Sequence, residues 1–109
     1  MLRIEVDIFS GRPNPVWILN DRTETDRLLE VIGEAKGAIA KQGVGFTGLG
    51  FRELRVDLIA DDEPRFRGVP RQFALASTAA KDFKESVALA RRIIKAIHFA
   101  RRSGSYSTI

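Results

Sequence analysis

Leu2, Ile4, Val6 and Ile8 alternate with Arg3, Glu5 and Asp7. A period of two predicts a strand with one face on a core, here over residues 2–8. Ser10-Gly11-Arg12-Pro13-Asn14-Pro15 is dense in turn formers, and Val16-Trp17-Ile18-Leu19 reads as the returning strand. The period then changes. Leu28, Ile32, Ala35 and Ile39 recur at helical spacing. Asp21 with Glu24, or Thr23 with Asp26, offers the cap, and Gly43 a stop. The second half repeats the plan. Leu54-Arg55-Val56-Asp57-Leu58 echoes Leu2-Arg3-Ile4-Glu5-Val6, and Gln72-Phe73-Ala74-Leu75-Ala76 returns. Ser77-Thr78 supplies caps for a long helix to about Arg102, with Phe83, Val87, Ala90, Ile94 and Ile97 on one face.

Two ββα units in succession predict an α+β domain. Its form is a four-stranded antiparallel sheet with both helices on one face. One helical layer explains the strict alternation, and it leaves Arg3, Glu5, Asp7, Arg55 and Asp57 on an open sheet face. The units span residues 1–43 and 51–102 of a single domain, 1–102. The tail, 103–109, lacks periodicity and reads as flexible. The chain's 109 residues suit one core.

Composition narrows the chemistry. There is no cysteine, which removes disulfides, thiolate catalysis and thiolate metal sites and agrees with a cytoplasmic location. The single histidine, His98, excludes a multi-histidine metal site within one chain. No stretch approaches the roughly 20 apolar residues of a membrane span. Met1-Leu2-Arg3-Ile4-Glu5 meets charge where a signal peptide would be apolar, so none is expected. The net charge of +4 is unevenly placed: residues 1–63 hold 8 basic and 12 acidic side chains, residues 64–109 hold 10 and 2. Such a field favours an acidic partner at the C-terminal half, unless the halves neutralise each other within the fold.

Gly43-Val44-Gly45-Phe46-Thr47-Gly48 matches G-x-G-x-x-G, but a helix precedes it and a strand follows, the reverse of a dinucleotide fingerprint. The segment 43–51 reads instead as a glycine-rich loop whose Phe46, Leu49 and Phe51 either tuck onto the core or dock on a partner. In Ser10–Trp17 two prolines preset the backbone, and Ser10, Gly11, Arg12, Pro13 and Asn14 form the tip. Trp17 is either core or an interface anchor. On the last helix Lys84, Arg91, Lys95, His98 and Arg102 share a narrow arc, a candidate surface for phosphates or an acidic peptide, or simply a solvated flank. Glu5, Asp7 and Asp57 on the sheet count against an RNA-binding face. Asp61-Asp62-Glu63 lacks the spaced oxygen ligands of a cation loop, and no nucleophile, base and orienting group fall into a set.

Phe9-Ser10-Gly11-Arg12-Pro13-Asn14-Pro15, with Trp17 after it, resembles a segment of a small partner subunit of iron-dependent enzymes. Those enzymes modify ribosomally made natural-product peptides, as in the thiaglutamate pathway. The likeness covers this segment alone and transfers no residue role. It implies that iron sits in a larger barrel subunit, that this chain holds no cofactor, and that the small subunit helps complete the pocket and engage the peptide. The expected function is therefore a non-catalytic accessory subunit that binds a protein or peptide in the cytoplasm, without a membrane. The alternative is a nucleic-acid or anionic-ligand binder using the basic helix.

Overall fold

The computed structural model describes residues 1–9, 11–46, 48, 50–59, 69–103 and 106–108. Strands β1 (Leu2–Phe9) and β2 (Val16–Leu19) form the first hairpin, followed by helix α1 (Arg22–Glu34). Strands β3 (Gly50–Leu58) and β4 (Gln72–Leu75) precede helix α2 (Phe83–Ser103). These four strands form the antiparallel sheet expected of two ββα units, in the order β4-β3-β1-β2, which the sequence pattern left open. Where the sequence reads a flexible tail, a fifth strand, β5 (Tyr106–Thr108), pairs antiparallel with β2. Three residues of tail backbone thus satisfy the outer edge of β2.

The β1–β3 register gives the repeat its meaning. Leu2 faces Leu58, Arg3 faces Asp57, Ile4 faces Val56 and Glu5 faces Arg55. Residue i of β1 and residue i+52 of β3 are therefore related by a pseudo-dyad between the central strands. Leu2, Ile4, Leu54, Val56, Leu58, Phe73 and Leu75 send their side chains to one face. There they meet Leu28, Leu29 and Ile32 of α1 and Leu89, Ala90, Ile93 and Ile97 of α2 in one core. Both helices thus cover the same side of the sheet. A bulge between Asp7 and Ile8 interrupts the ladder, and Ile8, expected inside, does not join the core.

The helices differ from expectation at their ends. Asp21 caps α1, accepting from the Glu24 backbone N–H at 3.0 Å. The helix stops at Glu34, not near Gly43, and a 3-10 turn over Lys36–Ala38 follows. Downstream pairing draws the chain away: the Asp82 N–H donates to the Gly37 carbonyl at 2.8 Å, and Ala40 exchanges two backbone bonds with Ala74. Helix α2 starts at Phe83, five residues beyond Thr78. Its cap is Asp82, which accepts from the Glu85 N–H at 3.0 Å. Ser77 is buried and closes a turn instead, accepting from the Ala79 N–H.

The apolar face expected for α2 is also turned. The buried residues are Ser86, Leu89, Ala90, Ile93, Ala96 and Ile97, while Phe83 and Ile94 are 47% and 52% exposed. Val87 is half-buried against the core. Two apolar arcs about 100° apart run along this helix. The inner arc packs into the core, and Ser86 on it accepts the Ala76 N–H through its Oγ at 2.8 Å.

Thr25 is 1% exposed on α1, and its hydroxyl has no hydrogen-bond partner among the described residues. An unpaired buried hydroxyl costs free energy that an isosteric methyl does not. Thr25→Val should therefore stabilise the chain by about 1 kcal/mol. A urea midpoint that falls, rather than rises, would show that the hydroxyl is satisfied in solution.

Candidate functional site

The face of the sheet away from the helices carries a charge ladder built from the repeat. Arg3 Nη1 bonds Asp57 Oδ2 at 3.3 Å, and its dyad counterpart sets Arg55 Nη1 at 3.9 Å from Glu5 Oε2. Arg3 also reaches Glu5 at 3.0 Å. Arg55 is the hub. Its Nη2 donates to Asp7 Oδ2 at 3.0 Å and its Nε to Glu53 Oε2 at 3.1 Å. Arg52, thrown onto this side beyond the bulge, donates to Asp7 Oδ1 at 3.1 Å. Asp7 and Glu53 are each only 2% exposed. Burial works against the Arg55 charge, but Asp7, Glu53 and Glu5 together hold its pKa above the ordinary guanidinium value.

This ladder ties two loops to the sheet. The Asn14 side chain donates to Glu5 at 2.8 Å and accepts the Ile8 N–H at 2.9 Å, which fixes the tip of the first hairpin. The Gly43 N–H donates to both oxygens of Glu53, at 3.0 and 3.2 Å. Beside it, Gln42 Nε2 donates to Asp57 at 2.9 Å and to the Phe73 carbonyl at 3.2 Å. Residues 40–43 thus leave the edge of β4 and cross onto the charged face. The next residue but one, Gly45, lies against Ser77 and Thr78, where an added Cβ would sit 2.5 Å from Ser77 Oγ. Only glycine lets the two segments approach this closely.

The ladder also brings both loops to one end of the sheet. Ile8 pairs with Phe51 and Phe9 with Gly50, so the strand leaving toward the hairpin tip lies beside the strand arriving from the glycine-rich loop. Gly11, Arg12, Pro13 and Pro15 are exposed there, and Gly11 holds φ +78°, a left-handed turn that suits glycine. Arg12 makes no ion pair among the described residues. Val44, Phe46 and Phe51 are 53%, 48% and 49% exposed, giving this end an apolar rim. Phe51 belongs to β3 rather than to the loop. Ser10 and Leu49 lie outside the described residues, as do Asp61, Asp62 and Glu63.

Trp17 does not join this rim. It stands opposite Ile4 on β2 and packs, half-buried, against the core. Lys84, Arg91, Lys95 and His98 are exposed on α2, on the other side of the sheet. Arg102 lies in the last turn of α2, with its side chain outside the described residues. Among the described residues no three His, Asp or Glu side chains are grouped to hold a metal ion, and no helix is long and apolar enough to cross a membrane.

Of the two buried carboxylates, Asp7 was expected on this face of the sheet, though on an open one, and Glu53 was passed over. Parity puts Glu53 on the face of Arg55 and Asp57, so its side was legible. Its burial depends on Gly43 arriving from ten residues away. Comparison with protein-family models, with curated proteins and with solved structures finds no match for this chain.

Proposed function

We propose that this chain is a non-catalytic recognition subunit that docks on a larger protein through the loop end of its sheet. The observation that carries this reading is the exposed rim of Val44, Phe46 and Phe51 beside the exposed Arg12 hairpin. Aromatic area next to an arginine that makes no ion pair among the described residues is the composition of an interface centre. Asn14 bonded to Glu5 and Gly43 bonded to Glu53 tie these two segments to the sheet, which lowers the ordering entropy that opposes docking. The segment 9–15 resembles a partner subunit of iron-dependent peptide-modifying enzymes, and that class is the partner we assign. In this reading the bond-making chemistry belongs to the larger subunit, and this chain completes its peptide-binding pocket.

The test is co-elution of the purified chain with the protein encoded beside it, followed by titration of variants. Phe46→Ser and Arg12→Ala should each weaken the complex about tenfold or more. Both positions are exposed, so the urea midpoints should stay near that of the parent chain. Unchanged affinity in both variants would remove the loop end as the docking face. Turnover of a peptide by this chain alone would end the accessory reading.

A further inference from the structure

The exposed side of α2 carries a second surface, independent of the loop end. Lys84, Arg91, Arg92, Lys95 and His98 all point to solvent. None makes an ion pair or hydrogen bond among the described residues, in contrast with the paired guanidiniums of the sheet. Beyond Glu85, in the first turn, the helix sequence contains no acidic residue. Lys84, Arg91, Arg92 and Lys95, without ion pairs among the described residues, repel one another and are relieved by an acidic partner. Exposed Phe83 and Ile94, with half-buried Val87 between them, run along one flank of these cations. At its N-terminal end Phe83, Lys84, Val87, Ala88 and Arg91 line a groove of about 430 Å³.

We infer that this face of α2 binds an acidic amphipathic segment of a protein, with an apolar side chain in the Phe83–Val87 groove and carboxylates on Lys84, Arg91 and Lys95. The geometry favours this occupant over other polyanions. A bilayer takes a broad apolar face with cations at its margins. Here the cations form the crest, and the apolar residues lie on one flank and line a recess. A phosphodiester strand would match the cations but gains little from Val87 and Ile94. A peptide helix with apolar residues at i, i+3 and i+7 uses both features. The groove on the other flank, between α1 and α2, is partly neutralised, because Glu24 there pairs with Arg27 at 3.5 Å.

The probe is a fluorescein-labelled synthetic helix with leucines at i, i+3 and i+7 and glutamates between them, read by fluorescence polarisation on the full chain. Lys84→Glu with Arg91→Glu, and separately Phe83→Ser, should each weaken binding about tenfold or more. Replacing the probe's glutamates by glutamine should do the same, and raising salt from about 50 to about 500 mM should weaken it several-fold. The charge-reversed and Phe83→Ser chains are independent, so one decides if the other fails to fold. No binding, or binding indifferent to the variants, overturns the inference. So does tighter binding to phosphatidylglycerol vesicles or to a 20-nucleotide oligothymidylate than to the acidic helix.

Discussion

Replacing Arg55 by alanine is expected to cost about 3 kcal/mol of folding stability, read as a lowered urea midpoint with an unchanged slope. Arg55 supplies one hydrogen bond each to Asp7 and Glu53, carboxylates with side-chain exposures of 4% and 2%. Without it Glu53 keeps only the Gly43 N–H among the bonds described above, and Asp7 leans on Arg52 and a long Asn14 contact at 3.5 Å. Leaving buried carboxylates short of partners is more costly than losing the pair itself. The Arg55 side chain is itself 31% exposed, which places the figure at the low end of the range for broken buried pairs.

Two controls sharpen the Arg55 result. Arg55→Lys keeps the charge, but one ammonium cannot reproduce two donors aimed at two carboxylates, so it should recover only part of the loss. Glu53→Gln in the Arg55→Ala chain should recover some stability, because it removes the carboxylate that has lost its cationic partner. The pH dependence has a definite sign. A folded-state pKa raised above its unfolded value gives stability that is present below the unfolded pKa and is lost as pH rises through the folded one. For a guanidinium that loss falls in strong alkali, so the deficit of Arg55→Ala should be constant between roughly pH 6 and 9. A deficit under about 1 kcal/mol would mean that solvent screens the ladder.

The second large effect belongs to Ser86, whose replacement by alanine should cost about 2 kcal/mol. Its Oγ is the partner of the Ala76 N–H, and Ser86 is fully buried. Alanine would leave that N–H unpaired in the core. The loss also touches backbone geometry. Ala76 holds φ +54°, a left-handed conformation that a residue with a Cβ adopts at some cost, and the Ser86 bond helps to hold it there. Ser86→Thr, which retains the oxygen, should fall between the parent and alanine. Equal midpoints for Ser86→Ala and the parent would show that another acceptor serves Ala76.

How far the fold could be read from the sequence depended on the range of the interactions involved. The strands and the single helical layer followed from alternation alone, because a half-buried sheet forces a period of two. The cap at Asp21 was legible for the same local reason. Helix α2 was not, since its sequence carries two apolar arcs, and the inner one is marked only by long-range contacts: core packing of Leu89 and Ile93 and the bond from Ala76 to Ser86. The stop of α1 was likewise set from outside, by Asp82 and Ala74. At the candidate site, the hairpin and the glycine-rich loop were both conspicuous by composition. Their convergence was not, because it follows from the register that places Phe51 beside Ile8. Nothing local marked Trp17 as a core residue rather than an anchor. Its place opposite Ile4 did.

The pseudo-dyad makes the pairing code of the central strands palindromic. Under the 52-residue offset, β1 laid antiparallel on another β1 sets Arg3 against Glu5 twice and Ile4 against itself. One ββα unit therefore carries a self-complementary central edge, whether its mate lies downstream in the same polypeptide or in a separate molecule. A chain cut between Ala40 and Gly50 need not be left with an orphaned edge. Two N-terminal fragments could close on each other as the halves of the intact domain do, so dissection of this protein should be followed by mass as well as by spectroscopy.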